Sequence, residues 1–104
     1  MAWLLLVLAG LLEIVWAFTM KQSEGFSRLW PSIVTIVAMI ASVGLLGLAM
    51  RSLPLGTAYM IWTGIGAVGA FLVGVVVLGE AATMGRMIAA GLIVGGLVLM
   101  KASS

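Results

Sequence analysis

Four apolar stretches fill almost the whole chain, and the breaks between them are long enough only for turns. They run from Ala2 to Met20, Pro31 to Met50, Thr57 to Leu78 and Ala81 to Met100. A helix rises about 1.5 Å per residue, so about 20 apolar residues cross the hydrocarbon core of a bilayer. Each stretch fits one pass. The chain has 104 residues, 64% of them hydrophobic and 8% charged. It is too short to hide that apolar surface in an interior and too poor in charge to dissolve it in water. The expected fold is an all-α integral membrane protein: a single domain of four transmembrane helices, at about 2–20, 31–50, 57–78 and 81–100. Met1-Ala2-Trp3 has no basic leader region, so the first stretch reads as part of the working protein.

The breaks carry matching punctuation. Lys21-Gln22-Ser23-Glu24-Gly25-Phe26-Ser27-Arg28 is a polar turn, followed by an interfacial Trp30 and by Pro31, which suits a first helical turn. Arg51-Ser52-Leu53-Pro54-Leu55-Gly56 separates the second and third stretches, and Gly79-Glu80 closes the third. Lys101 suits a helix C-terminus, from which it can reach the headgroups. Connections this short force neighbouring helices antiparallel. Lys21, Arg28 and Arg86 then share one membrane side, and Arg51 and Lys101 the other. Orientation follows a Lys/Arg asymmetry between the sides, and here that bias nearly vanishes. The chain is expected to insert both ways round, which permits antiparallel dimers.

Composition removes several function classes. With no Cys and no His, the chain offers no disulfide, no thiolate or imidazole metal site and no histidine acid–base chemistry. No enzyme, metal or cofactor is expected. The net charge of +2 comes from scattered basic residues, with no stripe that binds nucleic acid.

Glu13 stands out. It lies near mid-bilayer, where a carboxylate costs about 3 kcal/mol and such residues are functional by default. The bland alternative is a protonated Glu serving as an interhelical hydrogen-bond donor, which Asn, Gln or Ser would do more cheaply. Leu6, Ala9, Gly10, Glu13, Trp16, Ala17 and Met20 share one helical face. Gly10 and the other small residues admit a backbone or ligand, and Trp16 adds a flat aromatic surface. The third stretch has a similar face, with Tyr59, Trp62, Gly66 and Gly69. A carboxylate with aromatic rings deep in the membrane suits an organic cation, which pairs with the charge and is attracted to the ring faces. For Tyr59 the alternative is an interfacial aromatic belt. Ser42, near the middle of the second stretch, can bond a carboxylate or a substrate N–H, or back-bond to its own helix carbonyl. Gly91 and Gly95 form a GxxxG pair on the fourth helix, a candidate dimer contact. Lys21, Glu24, Arg28, Arg51, Glu80 and Arg86 read as solvated interfacial charges.

Three segments together resemble the small multidrug resistance family of bacterial four-helix transporters: Gly10-Leu11-Leu12-Glu13-Ile14-Val15-Trp16-Ala17, Lys21-Gln22-Ser23-Glu24-Gly25-Phe26, and Gly56 to Ala67 with its Trp62-Thr63-Gly64-Ile65-Gly66 core. The resemblance covers the whole chain. Trp16, where the multidrug subtype typically has Gly, and the Trp62 segment look like the guanidinium-exporting subtype. This implies an antiparallel homodimer in the bacterial inner membrane, with two Glu13 residues facing one site lined by Trp16, Ser42, Tyr59 and Trp62. Met60, at a position usually small in the subtype, and the Phe18-Thr19-Met20 run depart from the pattern.

The implied activity is proton-coupled antiport of guanidinium or small guanidinyl cations. Paired carboxylates titrate as a coupled set, and protons and cation compete for them. Planar guanidinium matches a carboxylate bidentately. A broad exporter of quaternary ammonium cations is the nearest alternative. A proton-binding rotor or channel subunit and a membrane adaptor are more remote, since a rotor subunit binds no organic cation and an adaptor tolerates loss of Glu13.

Overall fold

The computed structural model describes residues 2–103. These form four helices: α1 (Ala2–Gln22), α2 (Leu29–Ala49), α3 (Leu55–Val76) and α4 (Met84–Ala102). There is no strand among the described residues. All four helices are long and apolar enough to cross a membrane, and the chain is a multi-pass membrane protein. Pro31 sits in the first turn of α2, where its missing N–H has no intrahelical acceptor to lose.

Most helix ends lie one to three residues from the expectation, and two of the shifts have a local cause. Helix α3 stops at Val76. Gly79 then adopts a left-handed φ of 71°, and the N–H groups of Leu78 and Glu80 return to the carbonyls of Val73 and Gly74. Helix α4 begins at Met84 and not at Ala81, because Thr83 is its N-cap and accepts the Arg86 N–H at 3.3 Å. The first connection is also tighter than its polar composition suggests. Glu24, Gly25 and Phe26 all have positive φ, and the buried Ser23 hydroxyl donates to the Met20 carbonyl and accepts from the Phe26 N–H.

The helices lie side by side in a slab of 40 × 34 × 16 Å. Helix α1 packs against both α2 and α3, and the α4 backbone approaches α3 alone. The core is a seam formed by Leu6 and Ala9 of α1, Leu46 and Ala49 of α2, and Ala58, Ile61 and Trp62 of α3. Lipid tails are as apolar as leucine, so close approach and interhelical hydrogen bonds must hold such helices together. Close approach comes from bare glycines: Gly10 lies against Ile65, Gly69 against Ile14, and Gly64 against Leu97 of α4. The Thr19 and Thr35 hydroxyls, 2.7 Å apart, tie α1 to α2 at one end of the seam. At the other end of the chain's course, the Lys101 ammonium lies 4.7 Å from the centroid of the Trp3 ring. The start of α1 and the end of α4 therefore share a membrane side, as the antiparallel reading requires.

Candidate functional site: the Glu13 face of α1 and α3

Glu13 lies near the middle of α1, partly buried, with its carboxyl resting on the bare backbone of Gly66 in α3. A Cβ at position 66 would overlap the Glu13 carboxyl and stand 2.8 Å from its Cγ. Glycine there is thus a condition for the carboxyl to lie where it does. Its Oε1 is buried with no hydrogen-bond partner among the described residues, and so is the Trp16 Nε1 about one turn further along α1. Buried polar atoms are nearly always paired, and an orphan costs about 1–3 kcal/mol. Two orphans within one turn leave this face of α1 with unmet hydrogen-bonding capacity. An acceptor carboxylate beside an unpaired donor suits a cationic group with N–H donors together with a second oxygen. No set of three His, Cys, Asp or Glu side chains able to hold a metal occurs among the described residues.

The aromatic residues of α3 divide into two environments. Trp62 is buried, and its indole N–H donates to the Ser42 hydroxyl at 2.9 Å. Ser42, fully buried, donates in turn to the Ala9 carbonyl at 2.6 Å. This relay joins α3, α2 and α1 in the layer below Glu13. It uses the Ser42 proton within the protomer and directs it at neither Glu13 nor its own helix. Back-bonding is made instead by Ser32 and Thr63, and by one of Thr19 and Thr35, since the other gives its single hydroxyl proton to their mutual contact. Tyr59 is exposed near the start of α3, with its ring centroid 5.5 Å from that of Trp62 and tilted by 58°. The pair forms an aromatic step from the surface toward the buried layer. Gly10, one turn before Glu13, is buried under Ile65, so it sets helix spacing within the protomer. Ser42→Ala removes the acceptor of the Trp62 N–H and is expected to destabilise the protein by about 1–2 kcal/mol. Reversible unfolding in mixed detergent checks this, and a loss below about 0.3 kcal/mol would mean the relay carries no structural weight.

A cleft of about 400 Å³ continues the Glu13 face toward the C-terminal ends of α1 and α3. Ala17, Ala67 and Ala70 line its inner part, and Lys21, Gly74 and Glu80 its outer part. Lys21 and Glu80 are both exposed, as the solvated charges expected from the sequence, and the Glu80 carboxyl rests against the bare backbone of Gly74, where a Cβ would collide with it. Gly91 and Gly95 are exposed on α4, with open space where a Cβ would stand, and no α4 residue is buried.

The family model for the Small Multidrug Resistance protein matches residues 1–93, a span that includes every residue of this site. The chain belongs to the Small Multidrug Resistance family. Within the family it is similar to proteins named guanidinium exporter. That of Yersinia pseudotuberculosis serotype I is 59% identical over 104 residues, covering 100% of both chains. That of Salmonella typhimurium strain LT2 is 56% identical over 104 residues, and that of Citrobacter freundii 55%, each covering 100% of this chain and 99% of the relative. The similarity is to the full length of these relatives, so the four-helix unit described above is the unit they share.

Proposed function

We propose that this chain exports guanidinium or a small guanidinyl cation from a bacterium across the inner membrane, in exchange for protons, with Glu13 as the shared binding group. The observation that carries this reading is the buried, unpartnered Glu13 Oε1 seated on Gly66 beside the unpartnered Trp16 N–H. Guanidinium brings N–H donors in a planar fork that matches a carboxylate bidentately. The Trp16 indole N–H can only donate, so it suits a carboxylate oxygen and not the cation. The guanidinium exporters among the relatives support the substrate class.

The working unit is an antiparallel homodimer. The two orphaned atoms on the Glu13 face call for a second surface. Helix α4 exposes Gly91 and Gly95 for close helix contact, and the balance of Lys21, Arg28 and Arg86 against Arg51 and Lys101 favours insertion in both orientations. The dimer brings two Glu13 carboxyls to one central site, with Trp16, Ser42, Tyr59 and Trp62 around it. Protons and cation compete for that pair, so neither is held well when the other is bound. Exchange of protomer shapes turns the site from one face to the other, and the two end states of an antiparallel pair are related by symmetry.

The experiment uses purified protein in liposomes with an acidic lumen, diluted into alkaline buffer containing labelled guanidinium or tetraethylammonium. Outward proton flow should drive guanidinium accumulation well above that of the quaternary ion. Accumulation of tetraethylammonium alone would replace this reading with the quaternary ammonium exporter. Movement of neither cation would remove the transport assignment.

A further inference from the structure

We propose that Glu80 is an outer docking carboxylate, which captures the cation at the mouth of the α1–α3 cleft before it reaches Glu13. The inference rests on the export reading above and extends it to a residue outside the central site.

The loop after α3 is built to place this side chain. Gly79 turns the chain through a left-handed conformation that a side chain would disfavour, and the Glu80 N–H donates back to the Gly74 carbonyl at 3.0 Å. The carboxyl then lies on the Gly74 backbone, close enough that a Cβ there would overlap it. This seat repeats, at the helix end, the way Gly66 seats Glu13 in the middle of α3. Both glycines belong to α3, and the cleft runs between their levels. Its inner wall includes Ala17, one turn beyond Glu13, and Ala67, next to Gly66. The alanines share the lining with the larger Phe18, Phe71, Val73 and Leu78, and the volume of about 400 Å³ exceeds what a planar cation of four heavy atoms occupies.

The charges at the mouth are Glu80 on the α3 side and Lys21 on the α1 side. Arg86, the next cation along the chain, donates to the Ala81 carbonyl at 3.1 Å and lines a neighbouring cleft that shares Ala67 and Phe71 with this one. Glu80 itself is exposed, so a passing cation can meet its carboxylate. Charge at the rim of a low-dielectric cleft raises the local concentration of counter-ions and speeds their entry. Lys21, a tethered cation on the facing wall, opposes the same effect. In an antiparallel pair each membrane face presents one such mouth, so one residue serves entry on one side and release on the other.

The test measures guanidinium exchange by the full-length protein in proteoliposomes, as a function of substrate concentration, at low and high sodium chloride. Glu80→Gln should raise KM about three- to five-fold at low salt with maximal rate nearly unchanged, the size expected for one solvated charge contact. High salt should erase most of that difference by screening. Glu80→Asp should recover most of the affinity, and Lys21→Gln should lower KM about two-fold. An unchanged KM in Glu80→Gln, or a lower maximal rate at unchanged KM, overturns the proposal, the second result assigning Glu80 to packing. If wild type moves no guanidinium, the export reading fails and this inference with it. If wild type moves it and Glu80→Gln behaves identically, only the docking role is lost.

Discussion

Glu13→Gln is expected to abolish cation exchange while leaving the protein folded. Glutamine keeps the length and shape that fit over Gly66 but carries no charge at any pH. Two charges about 4 Å apart in a surrounding of effective dielectric about 20 attract by about 4 kcal/mol. Losing that attraction lowers cation affinity by about a thousand-fold. It also removes the group for which proton and cation compete, so any residual binding would be uncoupled from the proton gradient. Binding by calorimetry in detergent and exchange in liposomes read the two losses separately. Stability should hold or rise, because an amide avoids the cost of a carboxylate at mid-membrane. A variant that still drives guanidinium against a proton gradient would move the coupling site elsewhere in the chain.

The second large effect is expected at Gly66, where the neighbour matters more than the residue. An Ala methyl there would occupy the space of the Glu13 carboxyl. The obstruction is the end of a flexible side chain, so the fold can relieve it by swinging Glu13 aside. Relief on that route moves the carboxyl by about its own width, and misplacement of about 1 Å costs a functional site on the order of 100-fold. Gly69→Ala is the matched control. It creates an overlap of the same kind with the Ile14 side chain and leaves the carboxyl alone. Both variants carry the packing cost of an added methyl, about 1–3 kcal/mol, partly offset by about 1 kcal/mol of helix propensity. Melting temperatures should therefore fall by similar amounts, while exchange is nearly lost in Gly66→Ala and mostly kept in Gly69→Ala. Equal loss of exchange in both would show that α3 needs close packing in general and no special seat for Glu13.

The membrane class and the four helices were legible in the chain, as was the anomaly of a carboxylate at Glu13, because each follows from local composition. Twenty apolar residues in a row must cross a bilayer, and a lone carboxylate among them needs a reason. The helix ends were less legible. Nothing in the Ala81-Ala82-Thr83 run states that the Thr83 side chain, and no earlier residue, captures the first free N–H of α4. Ser42 shows a deeper gap. From its position it could serve a carboxylate or its own helix, and only the packing of three helices directs it to Ala9 and brings Trp62 to it. Glu80 was readable as a solvated charge because the contact that seats it depends on a fold-back across the α3 terminus.

Sequence alone determined what kind of solvent this protein lives in and which residue pays for being there, since transfer energies belong to individual side chains and add along a helix. Tertiary structure decided which glycine lies under which side chain, which hydroxyl links which helices, and which end of which cleft holds a charge. Those are contacts between residues far apart in the chain. Their formation depends on helix rotation and depth, and a repeat of 3.6 residues per turn fixes neither until a second helix is in place.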